Sequence, residues 1–184
     1  MPSDSPFDSI AQDYDLSFSL SVIGSMQRDR IWQFLEKELP IGSSLNVLEI
    51  NCGTGVDAHW FSKKGHRVIA TDLSPEMIRI AEAKDINNVE FEVCSFTELQ
   101  ANFRGQKFDL VFSNFAGLNC IDETELRSVQ QQIHNLLRPN GKFVGVFLGK
   151  YCWIERLYFR WKGARDQMNR RLNVSEARLD ENTV

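Results

Sequence analysis

Asn46-Val47-Leu48-Glu49-Ile50-Asn51-Cys52-Gly53-Thr54-Gly55-Val56-Asp57 is the stretch on which the fold turns. A mostly apolar run enters a turn with two glycines, and a helical pattern starts at about Asp57. Such a run fits a strand covered on both faces, as in a parallel sheet. Gly53 and Gly55 permit positive φ and carry no Cβ, so a ligand can lie against the backbone there. The next apolar run, Val68-Ile69-Ala70-Thr71, ends in Asp72, 17 residues past Gly55. An acid at the end of a second strand can accept hydrogen bonds from both hydroxyls of a ribose. The pair points to a nucleoside-bearing ligand at the switch point of a doubly wound sheet.

Outward from this loop, apolar runs and amphipathic helices alternate, which marks an α/β domain with a parallel sheet. Five runs read as strands: Leu45 to Ile50, Arg67 to Thr71, Val89 to Val93, Phe108 to Ser113 and Lys142 to Leu148. The expected fold is doubly wound and Rossmann-like, with strand order 3-2-1-4-5 and helices on both faces. Ile31, Phe34, Leu35 and Leu39 make one apolar helix face before Pro40 and Gly42. Ser74 can cap a helix with Pro75 at its first position, and Met77, Ile80, Ala81 and Lys84 share a face of it. Asp122 with Glu125 resembles a capping box, and Leu126, Val129, Ile133, Leu136 and Leu137 line the helix it opens. Arg138-Pro139-Asn140-Gly141 then turns the chain into the fifth strand.

The 184 residues suit one domain, read as an N-terminal helical cap (1–40), a core (41–150) and an aromatic, basic tail (151–184). Hydrophobic residues at 42% and charged residues at 25% exclude a disordered or fibrous chain. The net charge of −4 argues against life on nucleic-acid phosphates, so no nucleic-acid partner is expected. Cys52, Cys94, Cys120 and Cys152 are too scattered for a disulfide framework or a zinc site, so no metal is expected. No basic and apolar leader opens the chain, and no apolar run approaches the length of a transmembrane segment. A reduced, cytoplasmic protein is the expectation.

The loop also bears on which ligand. A dinucleotide site wants G-x-G-x-x-G, and here the third position is Ala58, so an NAD-dependent oxidoreductase remains an alternative. Glu49 sits at the strand end, where a dinucleotide needs no acid and a ligand carrying an ammonium and a sulfonium can use one. A Walker A loop is excluded, since no Gly-Lys-Ser/Thr follows.

VLEINCGTG, ATDLSPEMI, FDLVFSNFAGLNC and LLRPNGKFVGVF, in that order and spacing, resemble a class I S-adenosylmethionine-dependent methyltransferase. The resemblance covers roughly Phe7 to Lys150. It implies that Glu49 orients the methionine amino end and that the backbone of Asn51, Cys52, Gly53 and Gly55 cradles the cofactor. By the same resemblance Asp72 holds the ribose, Leu73 and Met77 flank the adenine, and Ser95 and Phe96 meet its ring and amino group. Ser113 to Phe115, Asn114 among them, match the segment facing the methionine part, and Tyr14 resembles an N-terminal tyrosine that closes over the cofactor. Two positions depart from the pattern: Asn51 stands where glycine is usual, and Ser95 where Asp is common.

No residue declares itself as a general base, which a methyl transfer needs only when the acceptor is protonated. His59, His66 and His134 read as structural or solvated, Cys52 and Cys120 as packing residues, and Asp109 as a backbone anchor. Asn114 and Asn119 are further candidates for substrate binding. Tyr151 to Trp161 holds five aromatics in eleven residues, with Ile154, Leu157, Tyr158 and Trp161 at helical spacing. It reads as a helix packed on the domain, a lid over an apolar acceptor, or an interfacial membrane helix.

The reading is a methyltransferase acting on a small, partly apolar acceptor by in-line displacement. The alternatives are a non-catalytic S-adenosylmethionine-binding module and the oxidoreductase. Only 34 residues follow Lys150, so the last strands usual in the resembled family are expected to be missing. The fifth strand's edge then needs cover, from the aromatic tail or a second subunit of a homo-oligomer.

Overall fold

The computed structural model describes residues 7–8, 11–19, 21–40, 42–149 and 159–163. Helix α1 (Ala11–Tyr14), a π-helical turn (Asp15–Ser19) and helix α2 (Val22–Glu38) precede the sheet. Then follow β1 (Asn46–Ile50), α3 (Val56–Lys63), β2 (Arg67–Asp72), α4 (Pro75–Glu82), β3 (Val89–Val93), α5 (Leu99–Asn102), β4 (Phe108–Ser113), α6 (Glu123–Leu136) and β5 (Leu137–Gly145). The strands form one parallel sheet in the order β3-β2-β1-β4-β5. This is the expected Rossmann-like architecture. Its switch point lies between β1 and β4, where the winding direction reverses.

Alternation within the strands builds a core on each face. Val47, Ala70, Leu110 and Phe112 pack with Leu35 of α2, Ala58 and Phe61 of α3 and Ile78 of α4. Leu48, Ile50 and Val111 pack on the other face with Leu99 of α5 and Val129, Ile133 and Leu136 of α6. Glu49 therefore shares the face of Val47 and turns toward the layer of α2 and α3.

The caps are those the sequence carries. Ser74 Oγ accepts from Met77 N at 3.1 Å, with Pro75 opening α4. Asp122 Oδ1 accepts from Glu125 N at 2.8 Å while Glu125 Oε2 accepts from Asp122 N at 3.2 Å, completing the box. His66 Nδ1 accepts from Leu45 N at 3.2 Å, and Asp109 accepts from Asn46 N at 2.8 Å. Both fill the structural roles expected of them.

Two details differ from the sequence reading. Strand β5 is Leu137–Gly145 and not Lys142–Leu148. Leu137 pairs with Phe108 and Lys142 with Leu110, so the Arg138–Gly141 stretch bulges within the strand instead of preceding it. The reason is that α6 ends directly in Leu137, which leaves no connector for a separate turn. Phe34 is 49% exposed, because the inward stripe of α2 is Gly24, Arg28, Ile31 and Leu35, and Phe34 lies off it. Of the aromatic stretch, 159–163 are described, with Trp161 exposed in a helical turn. The readings placed on residues 151–158, Cys152 among them, and on the edge cover by the tail lie outside the described residues. Among the described residues no helix is long and apolar enough to cross a membrane, and no His, Cys, Asp and Glu cluster could hold a metal.

Candidate functional site

The loop after β1 is shaped by three left-handed residues, Asn51 at φ 57°, Gly53 at 54° and Gly55 at 78°. Two consecutive amides tie it to β2: Cys52 N donates to Thr71 O at 2.8 Å, and Gly53 N donates to Asp72 Oδ2 at 2.8 Å. Asp72 Oδ1 accepts from Ser74 N at 3.0 Å. The acid chosen from its spacing thus sits directly against the glycine turn. Burial raises the Asp72 carboxyl above its ordinary range, against the lowering effect of these amide donors.

The two glycines serve different ends. A Cβ on Gly53 would lie 3.7 Å from Tyr14 Cε1, so the tyrosine ring covers the turn at that point. A Cβ on Gly55 would come within 2.8 Å of two Phe91 ring atoms and 3.3 Å of Ala81 Cβ. Packing against β3 and α4 therefore requires a glycine at position 55, a demand separate from any ligand contact of its backbone.

Asn51, in place of the usual glycine, turns its side chain toward the end of β4. Its Nδ2 donates to Asn114 O at 2.7 Å, and its Oδ1 accepts from Ser113 Oγ at 2.6 Å. The amide fills the space beside Gly117, where a Cβ would lie 2.3 Å from Asn51 Cγ. Phe115 and Ala116 follow at φ 49° and 58°, two more left-handed residues without glycine. Each such residue costs on the order of 1–2 kcal/mol, and clusters of them gather at functional turns.

Glu49 is the most unusual group in the cleft. It is 1% exposed, and among the described residues its Oε2 has no hydrogen-bond partner. Burial pushes its carboxyl well above the ordinary range, with Asp57 and Asp72 adding repulsion and Arg28 opposing them. Arg28 is itself buried on α2, where its Nε donates to Asp57 Oδ1 at 3.1 Å. Sequence reasoning missed both Arg28 and Asp57. The available signal was Arg28 itself, a charge on the inward stripe with Gly24, Ile31 and Leu35.

The remaining predicted residues surround this centre. Tyr14 is half-buried, and its phenol is pushed up to about 12, foremost by burial, with Asp72, Asp15 and Asp57 adding to it and Arg28 opposing. Leu73 beside Asp72 is 47% exposed, whereas Met77 is buried on the inward face of α4. Ser95 Oγ accepts from Thr97 N at 3.3 Å, capping the turn that carries Phe96. Asn114 spends its amide within the protein: Nδ2 donates to Asp57 Oδ2 at 3.0 Å and Oδ1 accepts from Phe115 N at 2.8 Å. Asn119 pairs with both backbone groups of Leu148, at 3.0 and 3.1 Å. Cys52 is buried and its thiol is raised well above its usual range by that burial, which suits a packing residue.

The N-terminal segment is strapped over the loop. Lys84 Nζ donates to Asp15 Oδ2 at 2.7 Å and to Thr54 O at 2.8 Å, and Thr54 Oγ1 bonds the other Asp15 oxygen. Burial raises the Asp15 carboxyl, but the Lys84 and Thr54 bonds outweigh it and hold the group low. Ser74 Oγ donates to Asp8.

The chain is similar in sequence and fold to known proteins. The E. coli K12 tRNA 5-carboxymethoxyuridine methyltransferase is 31% identical over 145 residues, 75% of this chain and 54% of that protein. A demethylmenaquinone methyltransferase from Thermobifida fusca is 34% identical over 119 residues, 63% of this chain and 49% of its own. The chain spans about half the length of the curated relatives it matches. Among solved structures, an S-adenosylmethionine-dependent methyltransferase from Mesorhizobium loti superposes with a TM-score of 0.54 at 26% identity, covering 62% of this chain and 51% of its own. The DhpI–SAH complex superposes at 0.58 and 26% identity, covering 76% and 65%. The methyltransferase-domain family matches residues 47–141, more than half of the 184, and the chain belongs to that family.

Proposed function

We propose that the chain binds S-adenosylmethionine at the C-terminal ends of β1, β2 and β4 and transfers its methyl group to a small, partly apolar acceptor. The observation that carries this reading is the buried, unpartnered Oε2 of Glu49. An orphaned acid in a cleft costs stability unless a cationic ligand completes it. The ammonium of a methionine moiety fits that requirement, and the buried Arg28 suits its carboxylate. Asp72 and the backbone of Asn51, Cys52, Gly53 and Gly55 suit the ribose and the linking atoms, with Leu73, Met77, Ser95 and Phe96 on the adenine side. Tyr14 closes the cleft over Gly53, and Asn114 acts there through Asp57. Leu73 offers an exposed apolar surface beside the ribose acid, where an adenine can be buried.

When bound, the cofactor supplies a methyl group already activated by the sulfonium, so no bond to the protein need form. The work of this chain is to bind, orient and exclude water, which can account for roughly 7–11 kcal/mol of a barrier in favourable cases. The acidic balance of the chain supports a small-molecule acceptor over a nucleic acid, and the scattered free cysteines Cys52, Cys94 and Cys120 suit a reducing, cytoplasmic setting. The oxidoreductase alternative gains nothing from the structure, because a dinucleotide has no use for an orphaned Glu49. Calorimetry with S-adenosylhomocysteine tests binding, and labelled S-adenosylmethionine with a panel of small quinols, carboxylic acids and tRNA tests transfer. Binding with transfer to a small acceptor is expected. A folded chain that binds neither form of the cofactor overturns the reading, binding without any transfer favours a non-catalytic module, and transfer to tRNA alone overturns the small-acceptor part.

A further inference from the structure

One carboxylate at the head of α3 gathers three donors from two other parts of the chain. Asp57 is 3% exposed. Its Oδ1 accepts from Arg28 Nε at 3.1 Å and from Trp32 Nε1 at 2.7 Å, both on α2. Its Oδ2 accepts from Asn114 Nδ2 at 3.0 Å, in the turn after β4. Each partner is fixed from a second side. Arg28 Nη1 donates to Ser19 O at 3.1 Å, and the guanidinium lies 4.4 Å from the centre of the Phe115 ring. Trp32 stacks on Trp60 with centroids 5.5 Å apart and planes 9° off parallel. Asn114 Oδ1 accepts from Phe115 N. The result is a guanidinium with little freedom to move, held within electrostatic reach of Glu49.

We propose that Asp57 is the positioning residue of the cleft's amino-acid end: it acts through Arg28, fixing the guanidinium that meets the carboxylate of a ligand whose ammonium goes to Glu49. The inference rests on the cofactor reading above and adds a residue that carries no ligand contact of its own. Both Asp57 oxygens are occupied by protein donors, so the side chain serves the arginine, the tryptophan and the asparagine. A buried charge that loses its partner is left uncompensated, and an arginine so released relaxes toward other acceptors. The loss therefore falls on the amino-acid half of the ligand and spares the nucleoside half, which is held at Asp72.

Two ligands separate the halves. S-adenosylhomocysteine carries the amino acid; 5′-methylthioadenosine shares the nucleoside and the thioether without it. For Asp57→Ala, calorimetry is expected to show S-adenosylhomocysteine weakened about tenfold or more, and 5′-methylthioadenosine by less than about twofold. Asp57→Asn is the second variant, chosen to keep the fold. Its amide oxygen can still accept from Arg28 and Trp32, but its NH2 faces the Nδ2 donor of Asn114, so an intermediate and equally selective loss is expected. Arg28→Lys, which keeps the charge and loses the fork, is expected to show the same selectivity. Equal weakening of both ligands in the folded Asn variant overturns the inference, since that is the mark of a merely structural role, and so does no weakening of either. A wild-type chain that binds neither ligand removes the cofactor reading itself, a result distinct from both.

Discussion

Glu49→Met should make the unliganded protein more stable and the liganded one weaker. Methionine is close to glutamate in volume and flexible enough to fill the same space. The substitution removes a buried carboxyl whose Oε2 has no partner among the described residues and which feels the charges of Asp57 and Asp72. Relief of an unsatisfied buried polar atom is worth about 1–3 kcal/mol. In a domain of this size that raises the melting temperature by roughly 2–12 °C. The gain has a definite pH dependence. The folded carboxyl ionises well above its ordinary 4.5, so below 4.5 it is protonated in both the folded and the unfolded chain. Stability from this group is complete there. Above 4.5 the unfolded chain gains by ionising while the folded chain cannot, and native stability falls until the raised value is passed. The advantage of methionine is therefore smallest near pH 4, where only the unsatisfied polar atom is relieved, and grows toward neutrality. With S-adenosylhomocysteine present at a hundred times its dissociation constant, the wild-type protein gains about 2.7 kcal/mol. The variant should lose most of that shift, because a buried ammonium without its anion costs about 3–5 kcal/mol, or roughly 10²- to 4 × 10³-fold in affinity. Thermal denaturation at pH 4 and pH 7.5, with and without ligand, reads all of this. A variant less stable than wild type at pH 7.5, or one that keeps the ligand shift, refutes the reasoning.

Gly55→Ala should cost about 2–5 kcal/mol, the sum of a left-handed alanine and overpacking against Phe91, read by urea denaturation. Shortening Phe91 to Leu in the same chain should recover part of that cost, and strict additivity would show that Phe91 is not the obstacle. Lys84→Met removes the ammonium that ties Asp15 to the carbonyl of Thr54, and stopped-flow displacement should show S-adenosylhomocysteine leaving faster. An unchanged dissociation rate would mean that the strap does not limit exit.

What could be read in advance was local. The glycine turn, Asp72 and the caps at Ser74 and Asp122 each join residues whose spacing is fixed by one turn or one strand–helix–strand unit, and composition marks them. Glu49 could be singled out because an acid in a buried strand violates the rule for its surroundings. The Asp57 cluster joins positions 28, 32, 57 and 114, which only the assembled sheet brings together. The packing demand on Gly55 is hidden from the sequence for the same reason, since its neighbour Phe91 stands on a strand beyond the motif. Strand β5 was displaced because a Pro-Asn-Gly sequence suits a bulge as well as a turn, and local chemistry alone cannot choose between them.

Gln132 of α6 is buried on the sheet face that carries α5 and α6. Its Oε1 accepts from Gln100 N at 2.9 Å and its Nε2 donates to Phe96 O at 3.2 Å, so it grips the segment after β3 from behind. The turn bearing Ser95 and Phe96 is thus anchored to one face of the sheet, while Arg28 and Trp32 anchor the opposite end of the cleft to the other. Among the described residues, the hydrogen bonds of Gln132 and those of the Asp57 cluster share no residue. A lineage can therefore retune one end by substitutions in a single helical layer and leave the opposite end as it was.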